Sequence, residues 1–111
     1  MEKFMYLFRG GMNGSESPEV RQNQMEKWKQ WIDDLNKKGI YVAGDPLQPA
    51  GKQVNGKKKA ITDGPFVEAK EMVGGYLIVF AKDINDAVET SKGCPIFNLD
   101  GKVEIRQVQK M

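Results

Sequence analysis

Two stretches of the chain are apolar at odd and even positions alike: FMYLF, Phe4 to Phe8, and GYLIVFA, Gly75 to Ala81. A strand with one wet face alternates, so unbroken runs of this kind predict strands covered on both faces, in the middle of a sheet. KVEIRQVQ instead alternates Val103 and Ile105 with Glu104 and Arg106, the pattern of a strand buried on one face only. From Pro18 to Lys38 the period is helical. At ~100° per residue, Met25, Trp28, Trp31, Ile32 and Leu35 share an arc of ~120°, which predicts one buried helix face. Ser17 and Pro18 supply an N-cap and a first helical residue, and Gly39 stands where a left-handed C-terminal residue is wanted.

IYVAGDPL, Ile40 to Leu47, reads as a further strand whose end Pro46 places at an edge or turn. GKQVNGKKKAITD reads as a hairpin, with Asn55 and Gly56 at the centre of a type I′ turn and Lys57 to Lys59 on the returning arm. Asp83 with Asp86 three residues later makes a variant capping box for a short helix, in which Ile84, Ala87 and Val88 share a side; Gly93 and Pro95 end it. The order is β, α, β, a hairpin insertion, β, α, β. With right-handed crossovers this is an α+β, ferredoxin-like βαββαβ fold with a β-hairpin after strand 2 and sheet order 4-1-3-2, the hairpin left uncounted. That order centres the two fully apolar runs. Both helices then lie on one face of the sheet, and the other face of FMYLF and GYLIVFA needs cover. The expectation is a homodimer with its sheets packed face to face, and a cavity between sheet and loops as the binding site.

Composition narrows the function. A chain of 111 residues, 40% apolar and 29% charged, is expected to form a single domain spanning residues 1–111. Seventeen basic and fifteen acidic residues, net +2, are scattered rather than gathered on one face, which argues against nucleic acid as a partner. The N-terminal apolar run is too short for a signal core or a membrane span, and Cys94 is the single cysteine, so a cytoplasmic protein with neither disulfide nor membrane partner is expected. Histidine is absent. Ser/His/Asp triads, Cys/His dyads and imidazole metal sites are excluded together, and any acid–base chemistry falls to carboxylates, Lys, Tyr or water.

The run GDPLQPA, then the hairpin, then ITDGPFVEAKEMVGGYLIVFAKDINDA, and finally VEIRQV, resembles the DGPF family, a branch of the YCII-related proteins. The likeness runs from Gly44 to Val108 with FMYLF ahead of it, nearly the whole chain, and TDGPF followed by E, KE and GGY is its most specific part. The resemblance implies a dimeric α+β barrel and, for this branch, no agreed reaction. Relatives in the wider group use a His/Asp dyad, which a chain without histidine cannot inherit. Some relatives are fused to or encoded beside extracytoplasmic-function sigma factors, which implies a regulatory protein partner as the alternative to chemistry.

Candidate residues have a chemical and a structural reading each. Asp63 opens DGPF; it either accepts backbone N–H groups in the turn or points into the cavity as a base or ligand anchor. Glu68 and Glu71 share a face if VEAKEM is helical, and Glu71, just before a central strand, can turn inward beside Asp63; surface salt bridges account equally for both. Two carboxylates in different environments can run glycosidic or proton-transfer chemistry. Arg9 ends a central strand and can clamp a carboxylate or phosphate of a small-molecule ligand, or pair with a nearby acid. Asp45 is similarly placed but also suits the turn at Pro46. Asp63 and Glu71 are thus the candidate catalytic pair, with Arg9, Asp45 and Glu68 as ligand contacts. No metal or cofactor is expected. The carboxylates lack EF-hand spacing, and Gly10, Gly11 and Gly14 read GGxxG rather than GxGxxG. Cys94 lacks an activating histidine, Trp28 and Trp31 fit the helix stripe, and the three lysines suit an exposed hairpin.

Overall fold

The computed structural model describes residues 1–12, 14–64 and 72–111. Strand β1 (Glu2–Arg9) leads to helix α1 (Pro18–Lys37) and strand β2 (Tyr41–Pro46); β3 (Lys52–Asn55) and β4 (Ala60–Asp63) form the hairpin; β5 (Val73–Ala81), helix α2 (Ile84–Ser91), a 3₁₀ turn at Pro95–Leu99 and β6 (Lys102–Gln107) complete the chain. The main sheet is antiparallel with order β2-β5-β1-β6, and β3 and β4 form a separate two-stranded sheet. With the hairpin left uncounted this is the 4-1-3-2 order, so the fold is ferredoxin-like α+β and the continuous apolar runs occupy its two central strands.

Local signals work as their chemistry demands. The Ser17 side chain accepts from the Val20 N–H at 3.2 Å, Pro18 opens α1, and Gly39 beyond its end has φ 73°. At α2 the Asp83 carboxylate takes the Asp86 N–H at 2.8 Å, while Asp86 accepts from the Lys82 N–H at 2.9 Å, two otherwise orphaned donors satisfied reciprocally. The hairpin turn differs from expectation. Asn55 pairs with Ala60, so the loop holds four residues, Gly56 to Lys59, with positive φ at Gly56 and Lys59, and the lysines form the turn rather than the returning arm. Asn55 is retained in the ladder because its side-chain amide donates to the Ala60 carbonyl and the Thr62 hydroxyl.

One face of the sheet carries the core. Phe4, Tyr6 and Phe8 of β1 and Leu77, Val79 and Ala81 of β5 are buried against Trp31 and Leu35 of α1 and Ala87 of α2. Trp28 meets Phe8 edge-on, 4.9 Å between ring centroids, and Trp31 stacks on Tyr6 at 6.2 Å, so both tryptophans pack. The stripe on α1 is rotated from the expected one: Gln24 is buried and Met25 is half exposed. The seam Gln24–Trp28–Trp31–Leu35 leaves Met25 about 90° off its centre. Gln24 tolerates burial because its Nε2 donates to the Pro95 carbonyl at 2.6 Å.

Candidate functional site

Alternation puts every second residue of the central strands on the face away from the helices. Register then aligns them: Asp45 lies opposite Tyr76, Tyr76 opposite Leu7, and Leu7 opposite Glu104, one row across β2, β5, β1 and β6. The next row inward is Ala43, Ile78, Met5 and Arg106. Arg9 lies one step beyond Leu7 on the same face, opposite Lys102. At a strand spacing of ~4.8 Å the polar row spans roughly 14 Å, wide enough for a small organic molecule. Its middle is apolar, with Leu7, Met5 and Ile78 half-buried, and its two ends are polar.

Each polar end is a hydrogen-bonded pair. On one side the Tyr76 hydroxyl donates to Asp45 Oδ2 at 3.1 Å. That bond, and secondarily the carboxylate's negative charge, hold the phenol pKa above its ordinary value, so Tyr76 remains a protonated donor well into the alkaline range. On the other side Arg9 Nη1 donates to Glu104 Oε1 at 2.5 Å, with the Arg9 side chain 23% and the Glu104 side chain 44% exposed. The pair is open enough to exchange Glu104 for a ligand's carboxylate or enolate without leaving a buried charge unpaired. One end therefore offers phenol and carboxylate oxygens as acceptors for a ligand hydroxyl, the one phenol proton being given to Asp45, and the other a guanidinium for an anion.

The expected ligand contacts Arg9 and Asp45 are thus brought to the same face, at the same end of the sheet. Asp63 is elsewhere. It closes the hairpin on β4, 75% exposed at its side chain, where it pairs with Lys52 at 2.5 Å while the Gly64 N–H bonds the Gly51 carbonyl. Its carboxylate is engaged by a cross-strand lysine, and the part of the DGPF turn beyond Gly64 lies outside the described residues. Glu68 and Glu71 lie outside the described residues. Tyr76 and Glu104 were missed: Tyr76 was absorbed into an apolar run, and Glu104, though correctly outward in its strand, acquires Arg9 as partner only through the β1–β6 register. Cys94 is buried and its thiol pKa is pushed up to about 12 by that burial, as suits a packed side chain. Among the described residues, no group of three or more Cys, Asp or Glu could hold a metal ion, and no helix is long and apolar enough to cross a membrane.

The family model for the YCII-related domain matches residues 4–111. The fold is similar to a solved structure of 5-chloro-2-hydroxyhydroquinone dehydrochlorinase (TftG) from Burkholderia phenoliruptrix AC1100, in complex with 2,5-dihydroxybenzoquinone: the TM-score is 0.56 at 16% sequence identity, over 96% of this chain and 93% of that one. No curated protein matches the sequence.

Proposed function

The chain belongs to the YCII-related family, and we propose that it is a cytoplasmic homodimer of the DGPF branch that binds a small polar molecule between the outer face of the four-stranded sheet and the DGPF loop. The observation that carries this reading is the row Asp45–Tyr76–Leu7–Glu104 with Arg9 beside it: an apolar middle between two polar pairs, on the face that α1 and α2 leave uncovered. Half-buried Met5, Leu7, Ile78 and Phe80 on that face favour a second copy as its cover. A flat ring bearing oxygens matches the chemistry, its edges meeting the Tyr76 hydroxyl and the Arg9 guanidinium. The dehydrochlorinase that shares the fold was solved with such a ring, which makes 2,5-dihydroxybenzoquinone a reasonable first probe.

A reaction at this site needs a base. Asp63, with Glu71, keeps that proposed role only if ligand binding both opens the Lys52 ion pair and brings the hairpin carboxylate to the sheet face; Asp45, already hydrogen-bonded to the Tyr76 phenol, is the alternative carboxylate. The test combines sedimentation equilibrium with calorimetric titration. The parent protein is expected to be a dimer and Leu7→Lys a monomer; Tyr76→Phe and Arg9→Met, both folded, are expected to bind the probe at least about tenfold more weakly. A monomeric parent without saturable binding would sink the reading.

One observation favours a second reading. On the hairpin, Val54 and Ile61 face each other across the strands and are 64% and 67% exposed, an apolar pair presented to solvent. In that reading the protein is a non-catalytic interaction or regulatory module whose contact surface is the hairpin, with sigma-factor-linked transcription control as the setting suggested by its relatives. Val54→Ser/Ile61→Ser would then abolish partner binding while leaving the dimer and any ring-compound affinity unchanged.

A further inference from the structure

The helical side of the molecule, away from the outer face of the sheet, carries a groove between α1 and the segment from α2 to the 3₁₀ turn. Its volume is about 550 Å³, within the range of small-molecule sites. Trp31 forms part of its floor and is only 8% exposed, yet its indole N–H makes no hydrogen bond to any described residue. Every side-chain polar atom sealed from solvent in the described residues has a partner, so this donor is not sealed: it opens into the groove. A buried tryptophan normally spends its N–H on the protein.

Gly93 explains why the donor stays open. A methyl group at this position would stand 3.1 Å from Trp31 Nε1 and 3.3 Å from its Cδ1, closing the approach. The Gly93 backbone is not in the left-handed region, so its conformation does not require glycine. What the glycine provides is access to the indole edge.

The remaining lining has a consistent chemistry. Lys92 neutralises Glu89 at 2.9 Å, while Asp34 accepts from the neutral Gln30 amide at 3.0 Å and keeps its charge, so the lining has an excess of one positive charge, three lysines against two acids. Lys27 and Lys38, also on the lining, have ammonium groups with no ion-pair partner among the described residues. Phe97 lines the same groove with 45% of its surface exposed. Two uncommitted cations, one uncommitted N–H donor and an exposed aromatic ring complement a single occupant type.

We propose that this groove is a second binding site, for a small carboxylate with an aromatic body: the carboxylate accepts from the Trp31 indole N–H and pairs with Lys38, Lys27 lies ~16 Å from Lys38 along the helix and adds longer-range positive charge, and the ring packs on Phe97. The site is independent of the dimer and of the sheet-face ligand.

The experiment is a titration of the full-length, ¹⁵N-labelled protein with benzoate, phenylacetate and phenylpropionate, and with the neutral methyl ester of each, following the indole cross-peaks of its two tryptophans. The Trp31 cross-peak is expected to shift saturably with at least one acid, with the matching ester at least about tenfold weaker and the Trp28 peak little moved. Gly93→Ala, which covers the donor, and Lys38→Met, which touches no packing, are each expected to weaken that binding several-fold. A Trp31 peak that stays fixed or drifts without saturation for all three acids overturns the proposal. So do equal responses to acid and ester, or an affinity unchanged in folded Lys38→Met.

Discussion

Tyr6→Phe tests how α2 is held to the sheet. The Tyr6 ring is fully buried, and its hydroxyl donates to the Ala87 carbonyl at 2.6 Å, joining residues 81 apart in sequence. The substitution keeps the ring and deletes one hydrogen bond, so at neutral pH a loss of about 1–2 kcal/mol is expected. Alkaline pH provides a second, independent reading of the same group. Burial raises the Tyr6 phenol above its ordinary value of 10, and the nearby Asp86 carboxylate adds to the shift. An unfolded chain releases that proton near pH 10 while the folded chain retains it, so the unfolded state binds fewer protons and stability falls as pH rises. Tyr6's contribution is fully present below pH ~10 and declines above it by about 1.4 kcal/mol per pH unit. Tyr76 and Cys94 are common to parent and variant and cancel in the difference. Urea denaturation from pH 7 to 11 should therefore show Tyr6→Phe less stable at pH 7 and the two curves converging or crossing near pH ~11. A variant within about 0.5 kcal/mol of the parent at pH 7, or a constant gap from pH 9 to 11, would refute the assigned burial and hydrogen bond.

Two further substitutions probe other parts of the structure. Gly101→Ala would place a methyl 2.4 Å from Ile96 Cγ1, 2.9 Å from the Gly11 nitrogen and 3.0 Å from the Arg9 carbonyl oxygen; two of those neighbours are backbone, so a destabilisation of about 1–3 kcal/mol and weakened ligand binding through displaced Arg9 are expected in urea melts and calorimetry. Asp63→Asn removes an exposed ion pair with Lys52, and its stability should stay within about 0.5 kcal/mol of the parent; a change in ligand affinity or turnover beyond that would show that the Asp63 carboxylate works on a ligand, and no change would leave it a hairpin closure.

Legibility divided along the range of the interactions. Ser17, Pro18, Gly39, Asp83 and Asp86 act on backbone groups within a few residues, so helix starts and stops could be read directly. The hairpin turn was misjudged at its tip because Asn55 had a competing use: its amide bonds across the strands to Ala60 and Thr62, holding it in the ladder and pushing the turn onto Gly56 to Lys59. On α1, hydrophobicity alone chose Met25 over Gln24. The helix chose Gln24, because the Pro95 carbonyl, 71 residues away, accepts its amide.

By itself the sequence determined the architecture: two continuous apolar runs can survive only as central strands, and that condition with the β/α order leaves one sheet arrangement. It also determined the absence of imidazole chemistry, because composition alone decides that. Which polar groups meet was left to tertiary structure. The partnership of Arg9 with Glu104 and of Tyr76 with Asp45 depends on strand register, and the open indole of Trp31 depends on how closely Gly93 approaches α1. Register and interhelical approach are set by the summed packing of both faces of a sheet. A one-residue slip would turn the same side chains to the opposite face with no change in local pattern.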